Sequence, residues 1–240
     1  MRLWMMLWIS GALSQEILWR SRGSSLTTRV SRQSDMREKL FAFPEVSNTS
    51  YVQIFPDHQG PFTEGTVCMR FHSDLTLKYS LISLATPHEA DHFLLYNYDA
   101  NLILLYMIST YHHYYLQGNN FKEWTSLCAS WRSSRSVLFI NEKKYEYNQT
   151  WATEIGADTI IILGQLQHSY GGGFLASECF VGEMTDVNMW DKALTDEDMM
   201  DYFADEEMSG NIIDWKALRY TIGGNVIIQP YSDPYPCEAI

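Results

Sequence analysis

"YSLISLATPHEADHFLLYNYDANLILLYMI" (79–108) holds three apolar runs in thirty residues, separated by "PHEAD" and "DAN". Runs of seven or eight residues are too short for buried helices. Their shortness, the turn residues that bound them and their Leu, Ile and Tyr content read as successive strands joined by tight turns. The same grammar extends both ways. "YVQIF" (51–55) precedes the turn "PDHQGP", and "GTVCMRFH" (65–72) alternates. "YYLQG" (114–118), "SLCASW" (126–131), "SVLFINEKKY" (136–145), "TIIILG" (159–164), "FVGEMTDVNMW" (180–190) and "NVIIQP" (225–230) follow. Short strands at this spacing predict an all-β, two-sheet jelly-roll sandwich.

One segment departs from the pattern. "LTDEDMMDYFADEEM" (194–208) opens with Thr195 and has Asp198 three residues on, a variant capping box. Asp196, Glu197 and Asp198 suit the positive end of a helix dipole, while Met199, Met200, Tyr202 and Phe203 supply an apolar face. The prediction is one short helix near 195–204, its acids a solvated face.

Composition narrows the function. With 240 residues and 46% hydrophobic content the chain can build a sizeable core. A net charge of −12 disfavours nucleic acid and anionic membrane as partners. The charge is uneven: residues 1–39 carry seven basic side chains against Glu16, Asp35 and Glu38. "MRLWMMLWISGALSQ" combines one Arg, an apolar centre and Ala12-Leu13-Ser14, so residues 1–14 read as a secretory signal, too short to span a membrane. Residues 15–35 form an Arg- and Ser-rich segment, which leaves an unprocessed N-terminus and an organellar transit peptide as the alternatives. Cys68, Cys128, Cys179 and Cys237 include no CxxC pair, and Asn48 and Asn148 stand in glycosylation sequons. Together these suit a secreted protein.

"IIILGQLQHSYGGGF" (160–174) carries the candidate site. A phosphate cradle would open a helix and supply Lys-Ser/Thr, and neither follows Gly171-Gly172-Gly173 here. A metal loop, or a turn with its site missing, remains. Glu183 and Asp186 are the paired-carboxylate candidates for glycan cleavage, but a separation of three puts them on opposite faces of a strand unless a bulge intervenes. No G-x-S-x-G elbow supports serine chemistry. Zinc is a further possibility through His88, His92, His112, His113 and His168, although adjacent His112 and His113 point to opposite faces of a strand.

"SLCASWRSSRS" (126–136) resembles the pentraxin signature through Cys128, Ser130, Trp131 and Ser133, with Ser126 where the family has His. "MREKLFAFPEVSNTSYV" (36–52), "IILGQ", "SYGG", "VGEMTDVNMWD" (181–191), "NIIDWKALRY" (211–220) and "VIIQP" extend the resemblance, in order, over a domain at 36–235, leaving 236–240 as a tail. The chain is similar to the short pentraxins. That resemblance implies a secreted jelly roll with one helix, a homopentamer active in innate immunity, and a disulfide between Cys68 and Cys128. Cys179 and Cys237 lie outside that pair.

The resemblance also implies function: recognition of phosphocholine, phosphoethanolamine or glycan ligands through calcium, without catalysis. In calcium-binding members the loop after "IILGQ" reads Glu-Gln-Asp; here it reads Leu166-Gln167-His168. A further family acid aligns with Leu175, and the facing Asp-Asn pair aligns with Ala90-Asp91. Calcium needs six to eight oxygen donors. Asp91, the Gln167 carbonyl, His168 and Glu178 remain as a residual calcium site, and Tyr96 and Tyr106 occupy the family's ligand-pocket positions. The expectation is a family metal loop with much of its metal chemistry removed. A calcium-independent or relic paralogue is the alternative.

Overall fold

The computed structural model describes residues 33–231, apart from residue 59 and residues 205–207. The leader, most of the Arg/Ser-rich segment, Cys237 and the 236–240 tail therefore lie outside the described residues.

Fourteen strands form two antiparallel sheets of seven. In chain order they are β1 (Lys39–Phe43), β2 (Tyr51–Ile54), β3 (Gly65–His72), β4 (Tyr79–Thr86), β5 (Glu89–Asp99), β6 (Leu102–Met107) and β7 (Thr110–Tyr115). Next come β8 (Thr125–Arg132), β9 (Arg135–Ile140), β10 (Lys143–Tyr147), β11 (Ile160–Leu163), β12 (Gly182–Trp190), β13 (Tyr220–Gly223) and β14 (Ile227–Pro230). The first sheet runs β10-β9-β8-β3-β12-β1-β14 and the second β13-β2-β11-β4-β5-β6-β7. This is the expected jelly-roll sandwich. β3 and β4 stand at the centre of their sheets and are buried on both faces almost throughout. Both outer faces must therefore be covered as well as the inner ones.

The inner faces make one core. Val67, Met69 and Phe71 from β3 share it with Phe93 and Leu95 from β5, and Trp131 from β8 stacks on Phe93 with ring centroids 4.8 Å apart. On the outer face of the first sheet Cys68 lies opposite Cys128 in the β3–β8 register, and the two form a disulfide. The helix α1 (Asp196–Ala204) covers them: Met199 and Tyr202, both fully buried, join Cys68, Cys128, Val137, Phe139 and Trp190. Its capping box is as read. The Thr195 amide donates to Asp198 at 3.0 Å and the Asp198 amide to the Thr195 hydroxyl at 3.1 Å.

Several boundaries differ from the sequence reading. "SVLFINEKKY" is two strands, β9 and β10, because Asn141 takes φ 52° and turns the chain. β1 and β13 carry no distinct signal of their own. β7 begins at Thr110, earlier than "YYLQG", because Ile108 and Ser109 both take positive φ and close a two-residue turn.

The β12–β3 register shifts between Thr185 and Asn188, and Asp186 takes φ 55° there. A bulge thus intervenes between Glu183 and Asp186. Glu183 meets His72 at 2.9 Å, and Asp186 lies 3.9 Å from Arg70. His72 and Arg70 are two apart on one strand, so both acids reach the same outer face, each opposite a basic side chain.

Candidate functional site

The outer face of the second sheet is a lattice set by strand register. Leu94 pairs with Tyr106 and Tyr96 with Leu104 across β5–β6; Tyr106 pairs with Tyr111, Leu104 with His113 and Leu102 with Tyr115 across β6–β7. Leu94, Tyr96, Leu104 and Tyr106 form a buried cluster, and Leu166 from the glycine loop completes it at 8% exposure. The edge row is open: Tyr111 is 50% exposed and Tyr115 70%. Tyr106 and Tyr111 lie 4.5 Å apart by ring centroid, and the Tyr106 hydroxyl accepts from the Ser109 amide at 3.0 Å.

The loop after β11 alternates between scaffold and surface. Gln165 is fully buried and donates to the Ser47 and Ser50 carbonyls, both at 2.8 Å. Gln167, also buried, donates to the Ser83 and Ile160 carbonyls at 3.1 Å and accepts from the Gly171 amide at 3.0 Å. Between them Leu166 faces the tyrosines. Gly171 and Gly173 take φ +75° and +73°, and the Gly172 amide donates to the Ser169 carbonyl at 2.9 Å. The glycines therefore make a tight reversal, which needs residues without Cβ.

His168 and Glu178 meet at this reversal, Nε2 to Oε2 at 2.6 Å. Asp91 comes from β5 toward the same pair. Burial raises its carboxyl above the usual range; His168 opposes the rise, and Glu178 and Glu89 add to it. One Asp91 carboxylate oxygen is buried with no hydrogen-bond partner. Burial also raises the Tyr96 phenol, with Glu178 as the next cause. Asp91, Tyr96, Tyr106, His168 and Glu178, scattered over the sequence from 91 to 178, thus lie on one patch of the second sheet. Gln167 contributes its side chain to the scaffold beneath.

The other histidines separate. His112 points inward, fully buried, stacked 3.8 Å from Trp151 and 4.7 Å from Tyr147, with Nδ1 2.5 Å from the Ser136 hydroxyl. His113 points outward between Tyr111 and Tyr115. Opposite faces for these neighbours is what alternation predicts. Sequence reasoning missed Leu94, Leu104 and Tyr111; the period-two pattern of "TYHHYY" held the signal for Tyr111 once the strand began at Thr110.

The sequence model of the pentaxin family matches residues 39–230. The chain belongs to the pentaxin (pentraxin) family. Among relatives of this pentraxin, serum amyloid P-component of Mus musculus is 33% identical over 220 residues, covering 89% of this chain and 96% of its own. C-reactive protein of Xenopus laevis is 37% identical over 204 residues, covering 82% and 85%. The heptameric SAP-like pentraxin of Limulus polyphemus superposes with a TM-score of 0.72 at 22% identity, covering 82% of this chain and 97% of that one. The pentraxin jelly roll and the Cys68–Cys128 disulfide thus stand on structure as well as sequence.

Among the described residues no three His, Cys, Asp or Glu side chains converge as a metal-holding group. The residues of this patch offer few free oxygen donors for calcium. Leu166 offers no side-chain oxygen and is buried in one cluster with Tyr96, while Glu178 is engaged by His168.

Proposed function

We propose that this pentraxin is a secreted recognition protein that acts without catalysis and presents the outer face of its second sheet to a phosphorylated small molecule or glycan, with calcium binding much reduced. The observation that carries this reading is Leu166, an apolar side chain sealed into the tyrosine cluster where calcium-binding relatives need a carboxylate. Asp91, the Gln167 carbonyl, His168 and Glu178 are the residual donors. One is a nitrogen and one a carboxylate already held at 2.6 Å. A hard cation with six to eight oxygen ligands gains little from that set. Tyr96 and Tyr106, with the open edge at Tyr111, supply apolar surface for a ligand.

Other features support the wider reading. The disulfide suits an oxidising compartment. Asn48 and Asn148 are both exposed, as glycan acceptors must be. No helix among the described residues is long and apolar enough to cross a membrane. Glu183 is hydrogen-bonded to His72 and Asp186 lies 3.9 Å from Arg70, so both acids are engaged within the protein instead of poised as an acid and a base on a substrate. Homopentameric assembly follows the family.

Isothermal titration of calcium into the chelator-treated chain tests the proposal, with a Leu166→Glu/His168→Asp double variant alongside. The expected result is no binding heat in the wild type and a binding isotherm in the variant. Wild-type binding at or tighter than about the millimolar range would overturn it and restore calcium-dependent phosphate capture.

A further inference from the structure

The β4–β5 hairpin turns at Pro87-His88, with Thr86 paired to Glu89. With residues 154–158 it walls an open cavity of about 370 Å³, lined by His88, Glu89, His92, Glu154 and Asp158 among others. Neither the calcium-loop residues nor the tyrosine lattice line it.

His92 is the anchor. It is 9% exposed, and its Nε2 lies 2.7 Å from the Glu154 carbonyl oxygen. A carbonyl oxygen only accepts, so Nε2 carries the ring proton and the neutral imidazole keeps its lone pair on Nδ1. That Nδ1 is buried with no hydrogen-bond partner, and the Glu89 Oε2 stands 3.6 Å away. Two acceptors thus face one another with nothing between them. A cation relieves that arrangement: either a second proton on His92 or a metal.

The geometry suits the metal. Ligands bonded at about 2.0–2.1 Å to a tetrahedral zinc stand roughly 3.3 Å from one another. The present pair needs to close by only a few tenths of an ångström. The Glu154 carbonyl is the outer contact that metal-bound histidines use to fix tautomer and ring orientation. No third group yet converges on the pair. His88, exposed on the two-residue turn, lines the same cavity and is the nearest further imidazole in sequence.

We propose that Glu89 and His92, joined by His88 and completed by water, bind a borderline divalent transition metal, zinc by ligand type. Two imidazole nitrogens and one carboxylate select zinc over calcium or magnesium. The site shares no ligand with the calcium reading above, since it uses none of Asp91, Leu166, Gln167, His168 or Glu178, although Glu89 also acts on the neighbouring Asp91.

The test titrates Zn(II), and then Co(II) as a spectroscopic probe, into the chelator-treated full chain near neutral pH. Binding of one equivalent with a visible cobalt ligand-field band is expected. His88→Ala and Glu89→Gln should each weaken affinity by at least about tenfold, while His168→Ala leaves it unchanged. His88 is exposed, so its variant keeps the fold, and an unchanged thermal midpoint of the metal-free protein verifies this. Absence of zinc binding in the wild type overturns the proposal. So does binding that survives both His88→Ala and Glu89→Gln, or that disappears in His168→Ala alone, which would move the metal to the Asp91–Glu178 patch.

Discussion

The two sheets solve the same problem differently. Each has a central strand buried on both faces and an outer apolar patch to cover. On the first sheet a helix does it, locking Met199 and Tyr202 over the disulfide. On the second a loop does it with the single side chain of Leu166, and the edge row of Tyr111 and Tyr115 stays open. A helix brings a whole apolar face and its own hydrogen bonds, so its cover is structural. A loop brings one apolar side chain, Leu166, to a small cluster separate from the main core. The reduced calcium binding we propose falls where the cover is thinnest.

The largest effect should come from the helix-covered side. The Cys68–Cys128 crosslink closes 60 residues, and chain entropy assigns it about 4 kcal/mol. A Cys68→Ala/Cys128→Ala variant should lose about that much in urea unfolding while its calcium and zinc titrations match the parent. If the titrations change as well, the two faces are coupled and the contrast drawn above fails.

His112 sits where the two sheets meet, carried by β7 and held by Ser136 of β9 and the ring of Tyr147 of β10. Burial lowers its imidazole to about 4, with neighbouring His113 acting in the same direction. The unfolded histidine titrates near 6.5, so below that pH the unfolded state binds a proton that the folded state refuses. Stability should therefore be intact above about pH 6.5 and fall as pH drops toward 4, by on the order of 3 kcal/mol. The other groups near this seam are Glu146 and Arg135, and Glu146 is held low, at about 2, chiefly by Arg135, so it stays ionised over that window. Urea midpoints at pH 7 and pH 4.5 should differ strongly in the wild type and much less in His112→Gln. An equal difference in both would assign the acid sensitivity to another group.

A direct pair of truncations measures the two covers. Met199→Ala removes a fully buried side chain under the helix and should cost about 2–4 kcal/mol. Leu166→Ala, at the rim of a five-residue patch, should cost about 1–2 kcal/mol. Equal losses in chemical denaturation would mean that the loop is as structural as the helix.

Much of this was legible in the sequence, for physical reasons. The helix was written in its cap, because Thr195 and Asp198 satisfy each other locally and no distant residue is needed. The strand at 65–72 was written in its alternation, and that at 79–86 in a short apolar run bounded by a turn. β13 was not, because Tyr220–Gly223 gains its strand character by pairing with β2 and little of it from its own residues. The site was half legible. That Leu166 and His168 stand where the family resemblance implies oxygen donors could be read in the sequence. That Leu166 would fill the space, that His168 would capture Glu178, and that a bulge at Asp186 would bring it to the same face as Glu183 depend on register and tertiary contact.

The β6–β7 turn yields the smallest effect and the sharpest local test of the open edge. Ile108 and Ser109 take φ 44° and 65°, in the left-handed region that costs a residue with Cβ roughly 1 kcal/mol, and neither supplies the Asn or Gly that such turns favour. The turn persists because the register beyond it is held by the tyrosine row, and because the Ser109 amide donates to the Tyr106 hydroxyl. Ser109→Gly keeps that amide and removes the strain, although the added freedom of the unfolded glycine takes back part of the gain. A net stabilisation of at most about 1 kcal/mol is expected, read as a small rise in urea midpoint. Tyr106→Phe deletes the hydroxyl and should erase that benefit by loosening the turn whichever residue occupies 109. If Ser109→Gly destabilises instead, the serine side chain itself holds the edge, and the open row of the second sheet is more firmly built than a loop-covered face requires.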